Sequence, residues 1–317
     1  MKTRNLFLAV LIGLGLNSAW ATNDGNNNTN NSSSVRYVKA PRFARPLVEK
    51  WIAEYAKTEP GVDFQIAKGS QDKDEIDLNV VFDNQETNTT AKDFSQIVYF
   101  GEFAVLPITA AGSEAAQVLE GKHLNSKKLK QLFFLNDDFE EDVKKNKQFE
   151  RLVVYSGSNA ASVATSFAHN FGEEQSSFRG KRISGDDLFL NTALGKDPLG
   201  VSFNALPNIF DLQSRHVRDG LAIVGLDLKK DWEENFSTKG SLDDILDILE
   251  SGHIQEVPIA KLGLTYKNED NAVTHFLDWV LTNGTKFNHT YGLLNLDQKL
   301  ALEQQQKVKN TLTAQNH

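Results

Sequence analysis

Two stretches of the chain carry the residue types and spacing that bind small anions. The first is Lys39-Ala40-Pro41-Arg42-Phe43-Ala44-Arg45-Pro46, a turn ending in a proline suited to the first turn of a helix. The second runs from Ser158 to Val163 and leads into a helix through Phe167. Backbone N–H groups at a helix N-terminus lack intrahelical acceptors, and the helix dipole adds positive potential there. Two such starts, one at Arg42, Phe43 and Ala44 and one at Ser158, Ala161, Ser162 and Val163, could hold an anion between them. Ser70, in the loop after the second strand, would add a hydroxyl. The plain alternative at each place is an ordinary capped helix start, because Ser and Asn are common N-caps. Arg42, Arg45 and Arg182 could supply charge from the side, or could be solvated surface residues.

Other chemistries leave little trace. The chain has no cysteine, which excludes thiol catalysis and cysteine-based zinc sites. Its seven histidines are scattered, with no H-x-x-x-H pair for a metal-binding helix. There is no G-x-S-x-G elbow, Walker loop or G-x-G-x-x-G turn. No metal, cofactor or enzymatic activity is expected. The formal net charge is −8, without a basic stripe, so no nucleic-acid partner is expected.

The elements that must position the two turns follow from the hydrophobic pattern. Lys2 and Arg4, the apolar run Leu6 to Leu16 and Ala19-Trp20-Ala21 predict a secretory signal peptide over 1–21, hence export. The apolar run is too short for a membrane anchor. The Asn-, Ser- and Thr-rich stretch 22–34 predicts a flexible spacer. From Val35 the chain alternates strands and helices. Leu47, Val48, Trp51, Ile52 and Tyr55 recur at helical spacing, Val62, Phe64 and Ile66 alternate as a strand, and 76–82 and 97–108 read as further strands. Helices are predicted at 114–119, 126–134, 188–194, 242–249, 273–281 and 298–308, and strands at 152–155, 200–203 and 221–226. This alternation predicts parallel sheets with helices on their faces, with ligand beyond the carboxyl ends of the strands.

The order of these segments, from Val38 to Leu296, resembles the phosphate-binding proteins of bacterial ABC importers, in a divergent form. The resemblance rests on several short motifs. They are Ala40-Pro41-Arg42-Phe43-Ala44-Arg45-Pro46 followed by Trp51, Gly69-Ser70, Phe103-Ala104-Val105-Leu106-Pro107-Ile108, and Leu124-Asn125-Ser126 through Phe133. Further along come Ala161-Ser162-Val163, Pro198 to Phe203, Val257-Pro258, Phe276 to Leu281, Asn283-Gly284-Thr285 and Tyr291-Gly292-Leu293-Leu294. It implies an α/β, two-lobed type II periplasmic binding protein fold with two hinge-crossing strands. Lobe 1 would comprise 35–102 and 228–317, and lobe 2 would comprise 103–227 with hinge strands at its ends. It further implies a monomer that captures a small, phosphate-like anion in the cleft and hands it to an inner-membrane ABC permease.

Two positions depart from the family. Its arginine before the second turn falls near Ser156-Gly157, and its aspartate after the third strand falls on Phe82 or, shifted by one, Asp83. These departures also allow a repurposed scaffold with an interaction, sensory or structural role. On this reading Phe43→Pro should weaken anion binding without unfolding the protein.

Overall fold

The structure is a computed structural model that describes residues 35–69, 73–83, 96–135, 147–267 and 270–315. The signal peptide and spacer expected at 1–34, and Ser70, lie outside these residues. The strands are β1 (Arg36–Lys39), β2 (Phe64–Ile66), β3 (Ile76–Phe82), β4 (Gln96–Ala110), β5 (Val153–Gly157), β6 (Lys181–Ile183), β7 (Gly200–Ala205), β8 (Leu221–Ile223) and β9 (Ile259–Tyr266). The first six helices are α1 (Arg45–Thr58), α2 (Glu114–Leu119), α3 (Ser126–Phe133), α4 (Lys147–Glu150), α5 (Val163–Asn170) and α6 (Leu188–Leu194). Then come α7 (Leu206–Ile209), α8 (Lys230–Glu233), α9 (Leu242–Ser251), α10 (Asn271–Trp279) and α11 (Gln298–Gln315). Among the described residues no helix is long and apolar enough to cross a membrane.

The strands join in the order β2-β1-β3-β9-β4-β7-β5-β6, with β8 also on β4. The long strand β4 serves two halves. Residues 96–104 pair with β9, whereas Val105 to Thr109 pair with β7. The chain returns to the first half at Pro258-Ile259, where Pro258 O accepts from Val105 N at 2.9 Å and Ile259 pairs with Ala104. Two strands therefore cross between the halves, the arrangement of a two-lobed molecule.

The sheet is mixed rather than parallel. β1–β2, β1–β3, β5–β6 and β5–β7 are parallel, while β3–β9, β4–β9 and β4–β7 are antiparallel. The reason is topological. A strand that carries the chain out of one half and a strand that brings it back pass the boundary in opposite senses, so they lie antiparallel when paired.

Each half has an aromatic core. In the first, α1 buries Leu47, Val48, Trp51 and Tyr55, and Pro46 sits in its first turn. Trp51 packs edge-on against Phe100 at 4.8 Å and its indole N–H donates to Gly284 O at 2.9 Å. A Cβ on Gly284 would lie 2.9 Å from that indole nitrogen, so the close approach requires glycine. In the second half Phe203 stacks on Phe167 at 4.1 Å, beside Phe133 and Phe178. At the crossing, Phe43, Phe82 and Phe103 form a third cluster with centroids 5.1–6.1 Å apart.

Candidate functional site

The turn before α1 comes from the first half. Ala44 N and Arg45 N both donate to Pro41 O at 3.0 Å, so these two donors are satisfied within the turn. Ala44 is buried. Phe43 is also buried, its ring in the crossing cluster, so Phe43→Pro would remove core packing together with a donor and is not the clean probe that the sequence suggested. Arg42 and Arg45 are exposed and form no ion pair among the described residues.

The turn before α5 comes from the second half. Ser162 is the N-cap, its Oγ accepting from Ala164 N at 3.1 Å. The same hydroxyl donates to Asp187 Oδ1 at 2.6 Å, and Val163 N donates to Asp187 Oδ2 at 2.9 Å. Ser158 turns away, with both its N and its Oγ on Ile183 O at 3.0 and 3.2 Å. Asn159 Nδ2 donates to Gly185 O at 2.7 Å, which ties the turn to the segment before α6.

Asp187 is the residue that sequence reasoning missed. It is 9% exposed, and its own carbonyl accepts from Asn204 Nδ2 at 2.8 Å. Asn204 Oδ1 in turn accepts from Asn208 Nδ2 at 2.9 Å, so a buried amide network supports the segment. Burial pushes the Asp187 carboxyl up to about 6, against the downward pull of the Ser162 hydroxyl and the Val163 amide, with the charge of Asp186 adding to the rise.

The two turns face each other across a cavity of about 250 Å³. Ala40, Pro41, Arg42, Phe43 and Arg45 line one wall. Asn159, Ala161, Gly185, Asp186 and Asp187 line the other, with Asn208 between. Of the candidate site residues named from sequence, Arg42, Phe43, Arg45 and Ala161 reach the cavity. Ala44, Ser162 and Val163 are buried, and Ser158 points to β6.

The two departures have physical counterparts. Asp83 holds Lys261, accepting from its N at 3.1 Å with Nζ 3.5 Å away, while Phe82 sits in the crossing cluster. Neither lines the cavity. At Gly157 a Cβ would fall 2.0 Å from Ser162 Oγ and 2.7 Å from Asp187 Oδ1, so no arginine could stand there with this pairing intact. Gly157→Ala is therefore expected to destabilise the protein by about 1–3 kcal/mol, as other small-to-large core changes do. A thermal melt checks this, and an unchanged melting temperature would contradict the packing of Ser162 and Asp187 around Gly157. Among the described residues no group of three or more His, Cys, Asp or Glu could hold a metal.

A two-lobed α/β molecule, with two strands crossing between halves and a helix start from each half at the boundary, has the type II periplasmic binding protein fold. The fold is similar to that of a protein from Clostridium perfringens assigned as a phosphate ABC transporter substrate-binding protein, solved with bound phosphate. The TM-score is 0.57 at 12% identity, over 83% of this chain and 100% of that one. It is also similar to an ABC-type phosphate transport receptor from Vibrio cholerae, with a TM-score of 0.51 at 10% identity over 83% of this chain and 100% of that one. At such identities the likeness concerns the fold. No protein-family model matches the sequence, nor does any curated protein.

Proposed function

We propose that the chain is an exported periplasmic solute-binding protein that captures a small, phosphate-like oxyanion and passes it to an inner-membrane ABC permease. One observation carries this reading: helix starts from separate halves face each other across one cavity, with Arg42 and Arg45 exposed on its wall and in no ion pair among the described residues. A cavity of about 250 Å³ suits an ion of phosphate size better than a larger metabolite. Two crossing strands supply a hinge on which the lobes can close over it. The chain is a binder and not an enzyme on this reading. A monomer suffices, since one chain furnishes both walls.

The test is calorimetric titration with phosphate and a thermal-shift panel of oxyanions. The double variant Arg42→Ala/Arg45→Ala should bind at least about tenfold more weakly, since a hydrogen bond to a charged group contributes about 1.5–3 kcal/mol. Failure of every oxyanion to raise the melting temperature between pH 5 and 8 would end this reading.

A second reading, a repurposed scaffold without transport, is favoured by Asp187 lying on the α5 donors and by neither Phe82 nor Asp83, the two positions nearest the family's aspartate, lining the cavity. It gives the opposite outcome in the same panel.

A further inference from the structure

The α5 entrance already holds an anionic group, and that group belongs to the chain itself. Ser162 caps α5 through Ala164 N without help, so the Asp187 carboxylate is an additional acceptor. It reaches back 25 residues along the chain to take the Ser162 hydroxyl with one oxygen and, with the other, the Val163 amide. It borders the cavity that Arg42 and Arg45 face from the other wall. We infer that Asp187 is a tethered stand-in for the anionic group of a ligand, and that it sets specificity by holding the α5 entrance against dianionic oxyanions such as sulfate. This inference rests on the reading of the cleft as an oxyanion site.

Exclusion follows from charge and from donor count. Two negative groups within a few ångströms repel strongly where solvent is scarce. The hydroxyl and the amide cannot serve a second acceptor while the carboxylate holds both. Asp187→Asn removes the charge, and Asp187→Ser also withdraws the acceptor from both donors.

The groups around Asp187 define how it titrates. Asp186 disfavours its anion, while Ser162 and Val163 from α5 favour it. Gly157 from β5, Asn204 from β7 and Asn208 from α7 carry no charge, and Arg42 and Arg45 stand on the far wall. Burial is the largest influence and raises the carboxyl to about 6, so mild acid neutralises it and removes the repulsion.

The experiment is titration of the full chain with sulfate, a dianion throughout the range, at pH 7.5 and pH 5.0. The proteins compared are the wild type, Asp187→Asn and Asp187→Ser, each first shown to melt cooperatively. Asp187→Ser keeps the test open if the asparagine variant misfolds. At pH 7.5 the variants should bind sulfate at least tenfold more tightly than the wild type. The wild type should close most of that gap at pH 5.0, and the variants should change little. Equal and measurable affinity in all three proteins would overturn the stand-in role and leave the oxyanion site standing. No binding by any of the three at either pH would overturn both.

Discussion

Phe203→Ala is expected to lower the melting temperature by about 10 °C. The Phe203 ring is fully buried and stacks on Phe167 at 4.1 Å with an interplanar angle of 12°. It also packs on Phe178 at 5.0 Å and on the edge of Phe133 at 5.5 Å. Truncating such a ring costs about 3–5 kcal/mol, and about 2–4 °C of melting temperature goes with each kcal/mol in a protein of this order of size. The cavity left behind cannot collapse easily. Strand β7 is held on both sides, by β4 through Pro107–Phe203 and by β5 through Val154–Val201. The loss should reach the cleft as well, because Phe167 belongs to α5, and the turn that leads into α5 forms part of one wall. Differential scanning calorimetry of the variant decides the matter: a fall of less than about 2 °C would mean that the aromatic stack does not hold the second half together.

The parts of this architecture that rest on local rules were legible in the sequence. The helices at 114–119 and 188–194 fall where hydrophobic spacing put them. α11 continues to Gln315, past the expected Val308, because its tail buries too little for a periodic signal. Val308 is its one fully buried residue. Sheet polarity was not legible, since strand–helix alternation does not reveal that β4 and β9 cross a boundary in opposite directions. The two helix starts of the cleft could be read from Pro46 and Ser162, which are local signals. Asp187 could not. In sequence it looks like an N-cap for α6, yet its side chain makes no capping bond there because the carboxylate turns to α5. Ser158 misleads in the reverse way, as a serine before a helix whose hydroxyl goes to β6. Pairings across 25 residues are set by the sheet that brings β5 and α6 together, and no spacing rule anticipates them.

Lowering the pH from 7.5 to 5 should stabilise the wild-type protein relative to Asp187→Asn by about 1–2 kcal/mol. The sign follows from linkage. The folded-state carboxyl titrates at about 6, above the ordinary aspartate value near 3.9 that it regains on unfolding. Between those values the folded protein binds the proton and the unfolded chain does not, so stability rises as pH falls through 6 and levels off below 4. The full window is worth roughly 3 kcal/mol at 1.36 kcal/mol per pH unit. Other groups contribute in both proteins. The half-buried Glu102 is raised and acts in the same sense, whereas Asp211, Asp243 and Asp270 are lowered and lose stability in acid. They cancel in the difference between wild type and variant, which urea denaturation at a series of pH values would give. A difference that shrinks toward acid would mean that the Ser162 and Val163 donors outweigh burial and keep the carboxylate ionised. The same proton also removes the charge at the α5 entrance. The two effects should therefore share the folded-state value: as pH falls through about 6 the stability difference begins to rise and wild-type sulfate binding levels off, because a single carboxyl governs both.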